Sequence, residues 1–213
     1  MTIKSIFIER LLNLYGKNEP IFTDEILKVF SDYSRPRVFQ FIKKAEQEEE
    51  LIQFDKGVYY IPTETRYGKS VISVEQVVHK KYIENKGEIF GIYGGLTMQL
   101  NFLLSYQVPN TIEVITNNES TWVREITLRG RRIILRKSRC TINKDNASAY
   151  TILELFNTMD VKTYKKDASV RREIISFAKK QRVRITEIIA LANVFPSRAT
   201  KNLVECGFIN EIE

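Results

Sequence analysis

The stretch SRPRVFQFIKKAEQEEELIQFDKGVYYIP, residues 34–62, decides the fold of the N-terminal part of the chain. It begins with a serine suited to cap a helix, followed by a proline in the first helical turn, where a missing N–H does no harm. Apolar residues then recur with a helical period. Two strand-like runs follow, residues 51–54 and 58–61, separated by Asp55-Lys56-Gly57, a loop in which glycine supplies a positive φ. The pattern predicts a helix followed by a β-hairpin.

The predicted helix has one apolar and one cationic face. At 100° per residue, its apolar side carries Val38, Phe41, Ile42 and Ala45. Its other side carries Arg37, Gln40, Lys43 and Lys44. In a DNA major groove, arginine suits guanine and glutamine suits adenine. A solvated helix face also commonly carries Lys and Arg, so this helix alone leaves both interpretations open.

Two further helices are predicted before it. Residues 4–15 form the first, which Gly16 ends, and Thr23 caps a second that runs to about Phe30. Three helices followed by a hairpin make a winged helix-turn-helix, in which one helix enters the major groove and the wing lies along the phosphate backbone. We therefore predict a winged helix-turn-helix DNA-binding domain over residues 1–65.

The predicted DNA-binding residues divide into two roles. Arg37 and Gln40 read base edges. The phosphate backbone is contacted by Ser34, Arg35, Lys43, Lys44 and Lys56, the last at the tip of the wing.

Charge is distributed unevenly along the chain. The whole protein carries a formal charge of +7, which attracts polyanions, yet residues 1–65 hold nine Lys and Arg against eleven Asp and Glu. Four of those acids are Glu46, Glu48, Glu49 and Glu50, at the far end of the predicted recognition helix from its arginines. We expect the DNA-facing end to remain positive. Composition alone leaves nucleic acid, an acidic protein partner and simple solubility as explanations.

Residues 66–213 are predicted to form a second, mixed α/β domain, which makes the whole chain α+β. The linker is Ile61–Gly68, where Pro62 breaks the strand. A strand is predicted over residues 112–116 and a hairpin over 122–139. Helices are predicted over 73–85, 95–104, 147–159, 168–181, 186–193 and 197–206.

The predicted hairpin of this second domain is unusually basic. Its cations are Arg129, Arg131, Arg132, Arg136, Lys137 and Arg139. Side-chain alternation puts Arg132 and Arg136 on a shared face. So many positive charges close together repel one another unless acidic side chains or a polyanion neutralise them. A charge-protected edge strand is one interpretation, and a second contact surface for the DNA backbone or for a protein partner is the other.

The composition argues against several functional classes. Two cysteines, Cys140 and Cys206, and the single His79 build neither a disulfide framework nor a Cys/His zinc site. No motif for catalysis or for a cofactor survives inspection. The chain has no apolar run of about 18 residues and no signal-peptide pattern. We expect a cytoplasmic, non-enzymatic protein without metal, cofactor or membrane contact.

The order of these features resembles the AbiEi antitoxin family, the antitoxins and autoregulators of bicistronic toxin-antitoxin and phage-abortive-infection loci. Three segments carry the resemblance, which covers most of the chain. They are LIQFDKGVYYIP, residues 51–62; TRYG, residues 65–68; and GGLTMQLN, residues 94–101, which leads through QVP, residues 107–109, to EVITN, residues 113–117.

The resemblance implies a winged helix that represses its own operon by binding promoter repeats, and a C-terminal domain that antagonises a nucleotidyltransferase-like toxin. It also implies that this domain assists DNA binding or self-association. Toxins of the nucleotidyltransferase type need a Gly-Ser pair followed by spaced aspartates that bind metal. In this chain no Asp-x-Asp follows Gly94-Gly95, so the resemblance is to the antitoxin and not to the toxin. Two alternatives remain. The protein could act by direct binding, with its basic hairpin docked on an acidic toxin, or as an enzyme acting on nucleic acid.

Overall fold

A computed structural model describes residues 3–105 and 109–212. Its contacts divide the chain into two units, Met1–Lys80 and Lys81–Glu213. Helices and strands occur in both units and the chain begins with helices, so the predicted α+β class is confirmed. Gln107 and Val108, which belong to one of the segments quoted above, lie outside the described residues.

The first unit combines helices with a small antiparallel sheet. Its elements are α1 (Ile3–Tyr15), β1 (Ile21–Phe22), α2 (Thr23–Val29), α3 (Arg35–Gln47), β2 (Ile52–Asp55), β3 (Val58–Tyr60), β4 (Glu64–Thr65), β5 (Gly68–Lys69) and the beginning of α4 (Val74–Tyr82). The sheet has the order β1-β3-β2, and β4 pairs with β5 as a separate hairpin. Strand β1, which the sequence does not predict, aligns Ile21 with Tyr59 and Phe22 with Val58.

The apolar face predicted for α3 lies in the core of this unit. Val38, Ile42 and Ala45 are buried there against α1 and α2, and Phe41 is half-buried. Full burial of an aliphatic side chain stabilises a fold by about 1.5–3 kcal/mol. This apolar stripe therefore fixes which side of α3 faces inward, and the polar side must face out.

Helix α2 begins differently from the prediction. The N-cap is Phe22, whose N–H donates to the Glu25 side chain at 2.9 Å, so the prediction that Thr23 caps this helix is wrong. Thr23 instead donates its backbone N–H to the Gly57 carbonyl at 3.0 Å. Gly57 has φ +77°, as the turn between β2 and β3 was expected to require. The tip of the hairpin is therefore tied to the start of α2.

The division between the units falls after Lys80, whereas the sequence prediction ends the first domain at residue 65. Side-chain contacts explain why the later residues belong to the first unit. Ser70 donates its N–H to the Thr63 carbonyl at 2.9 Å, and its hydroxyl bonds to Asn18. Lys80 pairs with Glu25 at 3.3 Å. The predicted linker, residues 61–68, therefore overlaps the β4–β5 hairpin, Glu64–Lys69, which is attached to the first unit.

The second unit holds a four-stranded sheet and a group of helices. Before and within the sheet come β6 (Glu84–Asn85), β7 (Glu88–Ile89), β8 (Gly91–Tyr93), α5 (Gly95–Asn101), β9 (Thr111–Thr116), β10 (Val123–Leu128) and β11 (Arg131–Lys137). The helices that follow are α6 (Ala147–Thr158), α7 (Val161–Lys166), α8 (Ala168–Lys180), α9 (Ile185–Ala192), α10 (Ser197–Cys206) and α11 (Phe208–Ile212). The sequence does not predict α7, α11 or the strands β6 to β8.

The sheet has the order β10-β11-β9-β8, and β11 runs parallel to β9. The arginine-rich strand β11 is therefore an interior strand, so the interpretation of it as a charge-protected edge strand is wrong. The neighbouring helical core is centred on α6, in which Tyr150, Leu153 and Phe156 are buried among α8, α9 and α10. Since α6 is apolar nearly all round, it belongs in the middle of a helical layer.

Candidate nucleic-acid interface

The outward side of α3 carries cations that lack acidic partners. Arg35, Arg37, Lys43 and Lys44 are all exposed, and none has a carboxylate within 4.0 Å in the part of the chain that the structure describes. Unpaired cations repel one another and keep their full attraction for an external anion. This face has the charge that a phosphate backbone requires.

Arg37 is held in one orientation by two neighbours. Its Nη1 donates to Oε1 of Gln40 at 2.9 Å, and its guanidinium lies 5.1 Å from the centre of the Phe41 ring. The Phe41 ring in turn packs 5.7 Å from that of Phe7 in the core. An arginine oriented in this way loses less conformational entropy when it binds. The two predicted base-reading side chains are thus brought together and aligned.

Ser34 stands at the N-cap of α3 in an extended conformation, but its side chain makes no capping hydrogen bond. Pro36, in the first turn, has no N–H to donate. Ser34 therefore occupies the predicted N-cap position, but the prediction that its side chain caps the helix is wrong. Its hydroxyl is not used in capping, which leaves it able to donate to a phosphate oxygen at the positive end of the helix dipole.

Lys56 lies at the exposed tip between β2 and β3. Its backbone N–H donates to Asp55 at 2.6 Å. Because Thr23 binds the Gly57 carbonyl, this tip lies beside the first turn of α2. Lys56 is therefore an exposed cation beside the first turn of α2.

The acidic residues gather at the other end of α3. Glu49 follows the helix and pairs with Lys69 at 2.6 Å, and this hydrogen bond lowers the pKa of its carboxyl. Burial raises the pKa of Glu46. At 1.5 Å per residue, Glu48 lies about 16 Å along the axis from Arg37, about twice the screening length at physiological salt. The negative sum of residues 1–65 therefore does not cancel the positive end of α3.

Two further residues, Phe39 and Gln47, share this outward face. Gln47 is exposed at the C-terminal end, and Phe39 is 40% exposed beside Gln40. The guanidinium of Arg35 lies 5.9 Å from the Phe39 ring centre. The same helical projection that placed Gln40 and Lys43 also places these two residues, so the signal was present in the sequence.

The arginines of the predicted basic hairpin are mostly neutralised within the second unit. Arg132 pairs with Glu125 at 2.5 Å, and Arg136 pairs with Glu113 at 2.5 Å. Arg132 and Arg136 do share a face of the sheet, as alternation predicts, and both acids stand on that same face on the adjacent strands. Acids, rather than an external polyanion, compensate these charges.

The other cations of the hairpin have mixed surroundings. Arg139 lies 4.0 Å from Glu154 and 5.4 Å from the Phe195 ring centre. Arg131 donates to the Pro109 carbonyl at 3.2 Å. Arg129 occupies the turn with φ +51°, and Lys137 is exposed near the end of β11. The structure therefore does not bring the six cations into one unpaired cluster.

Glu154 is an unusual group near this hairpin. Its side chain is 12% exposed, and its Oε2 accepts no hydrogen bond within the described residues. Burial raises the pKa of this carboxyl, and the guanidinium of Arg139 opposes that effect. Next to it, burial raises the pKa of Tyr150 to about 12, while the Tyr150 hydroxyl accepts the Arg139 N–H at 2.9 Å.

Exposed cations without acidic partners occur again on the helices after α6. Lys165 pairs with Glu205 at 3.7 Å. By contrast, Lys162, Lys166, Arg171 and Arg172 have no carboxylate within 4.0 Å in the portion described, residues 3–105 and 109–212. Positive charge of the second unit that is open to solvent thus occurs on α7 and α8 as well as at Lys137 of β11.

Comparison with known sequences identifies no relative: no protein-family model and no curated protein matches the chain. Within the described ranges, no three His, Cys, Asp or Glu side chains are grouped to hold a metal ion. None of the helices described is both long enough and apolar enough to cross a bilayer.

Proposed function

We propose that the first unit is a winged helix-turn-helix that binds double-stranded DNA, with α3 as its recognition helix. The order α1-β1-α2-α3-β2-β3, with β1 paired to β3, supports this interpretation. In this arrangement α2 and α3 form the helix pair, and the β2–β3 hairpin is the wing.

One observation carries the proposal: among the residues that the structure describes, the cations on the outward side of α3 have no carboxylate within 4.0 Å, whereas Arg132, Arg136 and Arg139 of the basic hairpin do. An ordinary surface commonly intersperses charges of both signs. On α3, Arg37 and Gln40 supply oriented donors, and Lys43 and Lys44 add charge on the same outward side. Arg37 and Gln40 read base edges, while Ser34, Arg35, Lys43, Lys44 and Lys56 contact the backbone.

The resemblance to AbiEi antitoxins extends the proposal to biological role. The protein represses its own operon by binding repeats in the promoter, associates cooperatively on those repeats, and antagonises a nucleotidyltransferase-like toxin encoded nearby. It acts without catalysis of its own. The order of the three segments quoted above supports this part of the proposal.

The DNA proposal is tested with the duplex immediately upstream of the gene. Fluorescence anisotropy compares this duplex with a shuffled duplex of equal length at physiological salt. We expect the natural duplex to bind at least a hundredfold more tightly. A Lys43→Ala/Lys44→Ala variant should lose affinity for both duplexes, and Lys17→Ala, an exposed lysine on the loop after α1, should not. Equal affinity for the two duplexes contradicts the repressor function.

The antitoxin role is tested separately by growth. The adjacent reading frame is expressed from an inducible promoter with and without this protein. Rescue of growth by the wild-type protein supports the role. Rescue by a variant that no longer binds DNA shows that neutralisation and repression are separate activities, and absence of toxicity or of rescue contradicts the antitoxin assignment.

A second candidate function is direct protein binding. Trp122 is 71% exposed and Val123 is 53% exposed. Val123 is the first residue of β10, an edge strand of its sheet, and Trp122 directly precedes it. Exposed aromatic residues and open strand edges are typical of protein contacts. A stable complex with the neighbouring gene product that Trp122→Ser disrupts, together with equal affinity for natural and shuffled DNA, favours this candidate.

A further inference from the structure

Phe39 differs from the other phenylalanines of the protein. All twelve lie in the described part of the chain, and it is the one whose side chain is classed as exposed, at 40%. Its neighbours on the helix, Val38 and Ile42, are buried, so the core of the unit is complete without its ring. The ring lies outside the core cluster and keeps exposed apolar surface that a binding partner can cover.

The surroundings of Phe39 are those of the proposed reading face. It is the fifth residue of α3, next to Gln40 and one turn before Lys43. Arg35, one turn earlier, has its guanidinium 5.9 Å from the ring centre. The cations without acidic partners make this face complementary to DNA rather than to a basic or apolar protein surface.

Within the major groove, one base carries an apolar group. Thymine presents its C5-methyl, and phenylalanine is among the side chains that contact it. A ring at the edge of a row of polar donors buries its apolar surface by packing on such a methyl group. Guanine, adenine and cytosine present polar edges there, which a phenyl group cannot satisfy.

We propose that Phe39 is a specificity-determining residue that recognises a thymine methyl group in the DNA site. This inference rests on the proposed DNA-binding function. It names thymine as the base that the apolar part of this face recognises. Gln40 and Arg37 select adenine and guanine, so Phe39 adds a preference for thymine at a neighbouring position.

The experiment removes the methyl group from the DNA and the ring from the protein. The site protected by the wild-type protein in the upstream duplex is first mapped by footprinting. Duplexes are then made in which single thymines of that site are replaced by deoxyuridine, which lacks the methyl group. Anisotropy measures the affinity of the wild-type protein, of Phe39→Ala, and of Leu14→Ala, a matched truncation of an exposed apolar side chain on α1.

We expect wild type and Leu14→Ala to lose about three- to fivefold in affinity at one or two deoxyuridine positions, the value of one buried methyl group. Phe39→Ala should bind the thymine duplex more weakly by at least that factor and show no further loss with deoxyuridine. Insensitivity of the wild type at every position, or an undiminished deoxyuridine effect in Phe39→Ala, overturns the inference while the DNA-binding function stands. Absence of any protected site overturns both.

Discussion

Arg37 and Gln40 are joined by a hydrogen bond from Nη1 to Oε1 at 2.9 Å, across one turn of α3. The bond uses the only acceptor of the glutamine side chain and one of the five N–H donors of arginine. With the bond intact, Gln40 still has its amide N–H groups and the second lone pair of Oε1 to offer to DNA. The bond therefore aligns the two side chains and leaves Gln40 able to donate to N7 and accept from N6 of adenine.

Replacing either residue should weaken specific binding. We expect Arg37→Ala and Gln40→Ala each to cost about 1–3 kcal/mol on the natural duplex and much less on a shuffled one. Because the side chains are bonded, the double variant should lose less than the sum of the two single losses. Anisotropy titrations of the four proteins on both duplexes give the coupling energy directly. Equal losses on natural and shuffled DNA refute the base-reading role.

Lys43 should act through charge alone. Its replacement by alanine removes one phosphate contact, so affinity should fall by a similar factor on every sequence. The slope of log affinity against log salt should become shallower by about 1. Titrations at several salt concentrations measure this slope, and Lys17→Ala serves as the control of equal charge change. An unchanged slope for Lys43→Ala would show that this lysine does not reach the backbone.

The apolar periodicity of α3 allowed its inward face to be predicted, because burial of Val38 and Ile42 depends on local spacing alone. Strand β1 could not be predicted, since two residues show no periodicity and its pairing partner Tyr59 is distant in sequence. Thr23 has the residue type of a helix N-cap, yet in the structure the preceding residue, Phe22, occupies the N-cap position. Local chemistry predicted the element and tertiary contacts decided its first residue.

The candidate site shows the same division. Phe39 and Gln47 follow from the helical projection and could have been included. The pairing of Arg136 with Glu113 could not, because the two residues are 23 positions apart and meet only through the parallel register of β9 and β11. A count of cations along the sequence therefore overestimated the unpaired positive charge of the hairpin. The same count matched the unpaired charge of α3, whose outward cations have no carboxylate within 4.0 Å among the described residues.

The pairing predicts that Arg136 supports stability rather than DNA binding. Arg136→Ala leaves the half-buried Glu113 without its charged partner, and we expect a loss of about 1–2 kcal/mol in the free energy of unfolding. Affinity for DNA should change by less than twofold. Lys137→Ala, exposed on the same strand, should leave stability within about 0.5 kcal/mol. Urea denaturation measures the effect on stability, and anisotropy measures the effect on DNA affinity. A loss of DNA affinity like that of Lys43→Ala would show that the hairpin does contact DNA.

Glu154 predicts a specific dependence of stability on pH. Its pKa is raised by burial in the folded state, so its ionised form is disfavoured there. As pH rises from its unfolded pKa to its raised folded pKa, wild type loses stability relative to Glu154→Gln, which carries no charge at any pH. The difference in unfolding free energy between variant and wild type should therefore grow in favour of the variant over this window and be constant below it. Denaturation curves at a series of pH values measure it, and a difference of the opposite sign means that Arg139 dominates.

A final, steric effect is expected at Gly95, the first residue of α5. Gly95 has φ +49°, and a Cβ built on it would lie 2.7 Å from Cδ of Glu113, whose carboxylate is held by Arg136. Gly95→Ala therefore combines left-handed backbone strain of about 1–2 kcal/mol with displacement of that ion pair. Gly130→Ala is the matched control, because it has φ +79° and no atom within 4 Å of the added methyl, so it reports backbone strain alone. We expect Gly95→Ala to be the more destabilising of the two in urea denaturation, and part of its excess to disappear when Glu113 is also replaced by alanine. Equal destabilisation by the two glycine variants would show that the Glu113 carboxylate moves aside without cost.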